Sequence, residues 1–191
     1  MSATHYLFRN ATESHDKIDR AVATINHSLS TDNEKNMFVT FFCGKLDLTT
    51  GLLEFCNAGH NAPILITPKD EIKTKFIKTN KGLPLGAMDL DTYKLETIQL
   101  QDGDTLFLYT DGVTESMNER NEELGDQETL RCISKHTTDT VQEKVDALYN
   151  RIQQHAAGTE QSDDITMLCI RYQQHSISSS AASHSRQFSS N

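Results

Sequence analysis

The sequence has few cysteines, and none of them form a close pair. The four cysteines, at positions 43, 56, 132 and 169, are too far apart in sequence for a Cys-x-x-Cys motif. Three of them lie in apolar stretches, where a free thiol behaves as a small hydrophobic side chain. This pattern disfavours a disulfide framework or a thiolate metal site. We therefore expect a reducing compartment, the cytoplasm.

Long hydrophobic runs are also absent. No apolar stretch approaches the roughly 20 residues that a membrane-spanning helix requires. Met1 is followed by polar sequence instead of the apolar segment of a signal peptide. We therefore expect no membrane insertion.

Basic residues are scarce relative to acidic ones. The chain of 191 residues has 18 lysines and arginines against 27 aspartates and glutamates, a net charge of −9. This balance argues against nucleic acid as the main partner, because phosphate backbones bind basic surfaces. A phosphoprotein remains compatible, since bound cations can supply positive charge locally. At 36% hydrophobic residues the chain can bury the core of one domain.

The first part of the chain predicts one helix. Residues 1–13 give weak signals and are expected to be weakly structured. Apolar residues at positions 18, 22, 25 and 29 then recur on one helical face. They predict a helix over 14–29, with Ser14 as its N-cap.

The remaining pattern alternates strands, turns and two further helices. Strands are predicted over 37–46, 52–56, 63–67, 72–78, 93–100, 105–109 and 165–172, and helices over 127–136 and 139–154. The nearly wholly apolar run 105–109 is typical of a central strand buried on both faces. We therefore predict an α+β fold over 14–172, with mostly antiparallel strands and helices packed on them.

The last segment, 173–191, differs in composition. Eight of its 19 residues are serine, and its only large apolar residues are Ile177 and Phe188. Such a segment cannot bury enough surface to offset its ordering entropy, so it is predicted to be disordered.

Two acidic motifs lie at the ends of apolar strands. Asp111, in the sequence Thr-Asp-Gly, follows the strand 105–109, and Gly112 allows the backbone to turn sharply and approach a ligand. Asp163 and Asp164 open the last predicted strand. Taken alone, Asp111 is more simply a cap of the next turn, and the acidic pair is more simply a solvated loop.

Together these carboxylates suggest a site for a hard cation. Magnesium and manganese prefer oxygen ligands, and a pair of such ions suits phosphate-ester hydrolysis. Neighbouring residues on a strand face opposite sides, so only one of Asp163 and Asp164 is expected to share a site with Asp111.

A histidine motif occupies segment 57–61, with the sequence Asn-Ala-Gly-His-Asn. A histidine such as His60 could act as a metal ligand or as a general acid. The surrounding asparagines and glycine favour the other interpretation, a shaped turn whose side chains bond the backbone.

These segments together resemble the PPM-type metal-dependent serine/threonine phosphatases, in the SpoIIE-like branch of bacterial sigma-factor regulators. The matching stretches, in the family's order, are 37–40, 51–61, 82–86, 103–115 and 163–166. The resemblance implies a sandwich of two antiparallel sheets flanked by helices. It also implies hydrolysis of phosphoserine or phosphothreonine with two Mn²⁺ or Mg²⁺ ions. The implied substrate is a phosphorylated regulator such as an anti-sigma-factor antagonist, and an upstream sensor domain is a possible further partner.

The resemblance assigns roles to five residues. Asp111 and Asp163 match metal-binding aspartates, and Asp164 is the alternative ligand if the register differs by one. Gly112 and His60 match positions that belong to structural loops near the site. None of the five is assigned as a catalytic acid or base.

One part of the family pattern is missing. The family's first strand carries Gly-Asp-x-x-Asp, which supplies a carboxylate shared by both metals, and the 191 residues contain no such motif. We therefore expect an N-terminally incomplete sandwich. A non-catalytic module that binds a partner protein is the alternative function.

Overall fold

Two antiparallel sheets flanked by helices form the fold. The structure is a computed structural model that describes residues 2–31, 33, 36–68, 73–89, 92–161 and 163–174. Its helices are α1 (Ser2–Ser14), α2 (Ile18–Ser30), α3 (Asp111–Thr114), α4 (Gly125–Lys135) and α5 (Val141–His155). Its strands are β1 (Phe41–Leu46), β2 (Leu52–Ala58), β3 (Ile64–Thr67), β4 (Lys73–Phe76), β5 (Glu96–Gln99), β6 (Thr105–Tyr109) and β7 (Met167–Arg171).

The strands divide into a three-stranded sheet of order β1-β2-β5 and a four-stranded sheet of order β4-β3-β6-β7. All pairs are antiparallel. One apolar cluster joins side chains of both sheets, including Leu53 and Phe55 of β2 with Leu65 of β3 and Leu106 of β6. The predicted α+β sandwich of antiparallel sheets is therefore confirmed.

Strand β6 has apolar neighbours on both faces. Leu106 contributes to the cluster between the sheets. Phe107 and Tyr109 contribute to a second cluster, with Ile133 of α4 and Leu148 of α5. The prediction of a central strand over 105–109 is confirmed to the residue, because an unbroken apolar run suits a strand covered on both sides.

The first helices differ from the prediction. Helix α2 begins at Ile18, and its N-cap residue, Lys17, makes no side-chain capping bond. Ser14 ends α1 instead, where its Oγ donates to the carbonyl of Asn10 at 2.8 Å. The assignment of Ser14 as an N-cap was therefore wrong. The predicted apolar face of α2 is confirmed, because Ile18, Val22 and Ile25 are buried.

Residues 1–13 were wrongly predicted to be weakly structured, because 2–14 form α1. Ala11 of this helix is buried, and Leu7 and Phe8 pack partly buried against the same cluster. These apolar residues are too few for their spacing to predict a helix. It is stabilised by packing on α2, as short helices generally require.

Other boundaries shift by a few residues. Strand β1 begins at Phe41 instead of residue 37, and β7 begins at Met167 instead of residue 165. The four cysteines are free thiols, as predicted. Of the segment predicted to be disordered, only Gln173 and Gln174 are described, and the rest lies outside the described residues. Within the described ranges no helix combines the length and apolar character needed to cross a membrane.

Candidate functional site

Three of the sequence motifs meet at one edge of the four-stranded sheet. Strand β6 ends at this edge, whereas β3 and β7 begin there. The register pairs Ile64 of β3 with Phe107 of β6, and Tyr109 of β6 with Met167 of β7. Antiparallel pairing therefore brings the segments before β3 and β7 beside the segment after β6.

Thr110 joins two of these segments. Its backbone N–H donates to the carbonyl of Thr166 at 3.0 Å. Its hydroxyl donates to the carbonyl of Asp164 and accepts from the backbone N–H of Thr166, both at 3.0 Å. One side chain thus ties the end of β6 to the acidic segment before β7.

Gly112 makes the closest approach between the same segments. It is buried, and a Cβ built on it would lie 2.6 Å from the carbonyl oxygen of Asp164 and 3.2 Å from that of Asp163. Any larger residue would have to displace backbone. The close approach that the structure shows at Gly112 is to the protein's own acidic segment, and an approach to a ligand stays a prediction.

Asp111 is the first residue of α3 and is half-buried. Its Oδ1 accepts from the backbone N–H of Gly112 at 3.1 Å. Thr110, and not Asp111, is the N-cap residue. The hydrogen bond to Gly112 is local, so both interpretations of Asp111, a cap of the following turn and a metal ligand, stay predictions.

Asp163 and Asp164 are exposed and precede β7, which begins three residues after Asp164. Asp163 Oδ1 accepts from the backbone N–H of Asp164 at 2.6 Å. Because the pair is not in a strand, the rule of alternating faces does not apply to it. The assignment of Asp163 as the ligand, with Asp164 as the alternative, stays a prediction.

The turn around His60 has the hydrogen bonds that its sequence indicated. Asn57 Oδ1 accepts from the N–H of His60 at 2.8 Å, and Asn57 Nδ2 donates to the carbonyl of His60 at 3.0 Å. Next to it, Asn61 Nδ2 donates to the hydroxyl of Thr114, at the end of α3, at 3.4 Å. These contacts bring the turn to the Asp111 segment.

His60 is electrostatically coupled to this edge. Partial burial lowers the pKa of its imidazole, the negative charge of Asp111 acts in the opposite direction, and the positive charge of Lys81 lowers the pKa further. The neutral form is favoured at neutral pH, which suits a residue held within a turn.

The carboxylates are the predicted ligands of a metal ion. Carboxylate oxygens are the donors that Mg²⁺ and Mn²⁺ prefer, so Asp111 with Asp163 or Asp164 fits such an ion chemically. No group of three or more histidine, cysteine, aspartate or glutamate residues suited to holding a metal occurs among the described residues. Asp111 with Asp163 or Asp164 therefore stays a predicted pair of ligands, called here the half-site.

The family comparison agrees with this arrangement of motifs. The family model of Stage II sporulation protein E (SpoIIE) matches residues 1–173. The chain belongs to the SpoIIE family. The match includes α1, so this helix belongs to the family's domain together with the later elements.

Two curated proteins are similar in sequence. Protein IcfG of Synechocystis is 30% identical over 151 residues, which are 78% of this chain and 23% of IcfG. The phosphoserine phosphatase RsbU of Bacillus subtilis is 26% identical over 171 residues, 90% of this chain and 50% of RsbU. The chain thus spans half or less of the length of these relatives.

Solved structures share the fold. The PP2C phosphatase domain of Bacillus subtilis SpoIIE, with a fragment of its regulatory domain, has a TM-score of 0.70 and 25% identity, covering 88% of this chain and 48% of that one. The structure of the RsbU and RsbW domains of a Mycobacterium tuberculosis protein has a TM-score of 0.72 and 21% identity. The similarity covers 92% of this chain and 48% of that one. The fold is therefore that of the PP2C phosphatase domain.

The Thr110 hydroxyl is expected to stabilise the site. Thr110→Val keeps the side-chain shape but leaves the carbonyl of Asp164 and the N–H of Thr166 without this partner. We expect a loss of about 1–3 kcal/mol in the free energy of unfolding, measured by urea denaturation. Thr110→Ser keeps the hydroxyl and should lose less. Equal losses in the two variants would show that the hydroxyl bonds contribute nothing.

Proposed function

We propose that this chain forms part of a metal-dependent protein serine/threonine phosphatase that dephosphorylates a regulatory protein. The observation that carries the proposal is the contact between Gly112 and the backbone of Asp163 and Asp164. This contact brings two acidic motifs, about 50 residues apart in sequence, to one sheet edge. Membership of the SpoIIE family and similarity to the phosphoserine phosphatase RsbU support the chemistry.

In this proposal Asp111 and Asp163 hold the metal, Mn²⁺ or Mg²⁺, with Asp164 as the alternative to Asp163. When bound, a pair of such ions activates a water molecule and neutralises phosphoryl oxygens. Thr110 and Gly112 fix the separation of the two acidic segments. His60, neutral and held by Asn57, orders the adjoining turn and takes no proton in the reaction.

The proposed substrate is a phosphorylated regulator of the anti-sigma-factor-antagonist type, acting in bacterial signalling. The support is that the relatives with this fold include SpoIIE, whose structure is described as that of a cell fate determinant, and RsbU. The proposed partners are this protein substrate and an upstream sensor domain, and neither nucleic acid nor a membrane is included.

A second function, a binding module without catalysis, has a specific observation in its favour. No group of three or more histidine, cysteine, aspartate or glutamate residues that could hold a metal occurs among the described residues, as would be the case in a module without catalysis. Such a module would dock the same regulatory protein without hydrolysing it. The two functions differ in whether the half-site binds a metal.

Metal binding by the chain tests the proposal. We expect weak Mn²⁺ binding, measured by isothermal titration calorimetry, that is lost in Asp111→Asn and in Asp163→Asn. Asparagine retains the shape but removes the charge that offsets desolvation of a divalent cation. Asp164→Asn should bind as the unchanged chain does. Loss in Asp164→Asn with retention in Asp163→Asn would reverse the ligand assignment, and binding unaffected by Asp111→Asn would reject the site.

A further inference from the structure

One segment of this acidic protein is strongly basic. Residues 73–81 contain four lysines and no acidic residue, whereas the whole chain has a net charge of −9. All four are exposed, and Lys75, Lys78 and Lys81 are called here the lysine stripe. This segment therefore carries a positive charge, whereas the chain as a whole is negative.

The segment that carries the lysine stripe runs towards the candidate site. Strand β4 is at the edge of its sheet, and its last residue, Phe76, pairs with Ile64, where β3 begins at the site edge. Beyond β4, the N–H of Ile77 donates to the carbonyl of Pro63 at 2.7 Å. Lys75 therefore lies on the edge strand, and Lys78 and Lys81 follow beyond its end at the site.

The end of the stripe is pinned to the His60 turn. Asn57 Nδ2 donates to the hydroxyl of Thr79 at 3.2 Å, and the N–H of Gly82 donates to the carbonyl of Asn57 at 2.9 Å. Lys81 lies between these two anchors. Its charge acts on the imidazole of His60, on which the charge of Asp111 also acts.

The lysine ammonium groups are available to a partner. Within the described ranges, no ion pair or hydrogen bond engages the side chain of Lys75, Lys78 or Lys81. The nearby acid Glu96 accepts from the N–H and the side-chain amide of Asn80 at 2.7 and 2.6 Å. This carboxylate therefore orders the backbone of the segment.

We propose that the lysine stripe is the docking surface for an acidic phosphoprotein, and that Lys81 faces the part of the partner closest to its phosphoserine. The proposal rests on the proposed function for the identity of the partner. Three exposed lysines within seven residues, on a segment that ends beside the candidate site, complement a partner that carries negative charge around its phosphate. Such charge complementarity selects the partner and accelerates its association, even where it adds little affinity.

The test uses a fluorescent peptide with a central phosphoserine between glutamates, and the same peptide with glutamines. Binding to the full chain is measured by fluorescence anisotropy at low salt. We expect the glutamate peptide to bind about tenfold more tightly than the glutamine peptide, because each of three exposed charge pairs adds a small increment to the binding free energy. The triple variant Lys75→Glu, Lys78→Glu, Lys81→Glu should lose this preference, and added salt should weaken it.

A matched control separates the stripe from overall charge. The variant Lys17→Glu, Lys45→Glu, Lys135→Glu changes the net charge equally at exposed positions elsewhere, and should keep the preference. Thermal melts of both variants confirm folding. If the unchanged chain shows no preference, or if both variants lose it alike, the inference is overturned.

The peptide without phosphate separates this inference from the proposed function. A lysine-dependent preference for its glutamate form would support the stripe even if the chain neither binds phosphoserine nor hydrolyses it. Phosphoserine binding without any dependence on the flanking charges would support the proposed function and overturn the stripe.

Discussion

Incubated with Mn²⁺ and a phosphoserine peptide, the 191-residue chain is expected to release little or no phosphate. Two-metal hydrolysis requires ions about 3.5–4 Å apart that share the attacking water. The proposed ligands are two carboxylates, and no group of three or more histidine, cysteine, aspartate or glutamate residues that could hold a metal occurs among the described residues, so a second ion is expected to lack adequate ligands. The measurement is phosphate release over time, with a complete relative of the SpoIIE family as the positive control.

Supplying the missing ligands is expected to restore turnover. A fusion that adds an N-terminal segment with Gly-Asp-x-x-Asp from a related domain should hydrolyse the peptide in a manganese-dependent manner. Asp111→Asn or Asp163→Asn in the fusion should then reduce the rate by about a hundredfold or more. Loss of an outer-sphere partner alone typically costs 10–100-fold, and these residues are proposed as direct ligands.

A charge-matched variant controls for nonspecific effects. Asp146→Asn removes one carboxylate on the exposed part of α5 and should leave turnover unchanged. Strong manganese-dependent turnover by the unmodified chain that survives Asp111→Asn would place the active site elsewhere. A correctly folded fusion without turnover would favour the binding-module alternative.

Gly112→Ala is expected to destabilise the protein and to weaken Mn²⁺ binding together. The added Cβ would lie 2.6 Å from the carbonyl oxygen of Asp164, which belongs to backbone and cannot rotate away. Overpacking of this kind costs about 1–3 kcal/mol. Alanine gains about 1 kcal/mol over glycine in a helix interior, but α3 has only four residues, so the steric cost should dominate.

Gly44→Ala is the matched control. Its Cβ would lie 3.1 Å from the Cδ1 of Leu53, the end of a flexible side chain. The free energy of unfolding, from urea denaturation, and the Mn²⁺ affinity should both be near those of the unchanged chain. If Gly112→Ala also leaves both quantities unchanged, the acidic segment can move freely relative to Asp111, and the proposed half-site loses its support.

The elements that sequence predicted well are those whose burial is visible as a local pattern. The apolar run of β6 and the apolar face of α2 were predicted because each repeats with the period of its own backbone. The turn held by Asn57 was predicted because asparagine and glycine have local hydrogen-bonding and backbone preferences. Helix α1 was not predicted, because its few apolar residues form no clear periodic pattern and are buried only by packing on α2.

The buried lysine of α5 is a feature that its residue type does not indicate, because lysine is mostly exposed in proteins. Lys144 precedes Leu148 by four residues and Ile152 by eight, so it lies on the buried face of α5, and its ammonium donates to the carbonyls of Thr137 and Asp139. Burial lowers the pKa of this lysine. These carbonyls belong to the segment directly before α5, whose backbone conformation brings them to the ammonium, and the residue types alone do not indicate that conformation.

For the candidate site, the sequence by itself determined which residue types are present: Asp111 after a buried strand, an acidic pair before the last strand, and a histidine in a turn. Tertiary structure decided that these segments share one sheet edge, because antiparallel register joins the end of β6 to the beginnings of β3 and β7. It also decided that Gly112 packs on the carbonyl of Asp164. Contacts between segments about 50 residues apart depend on how whole sheets pair, which no local sequence preference encodes.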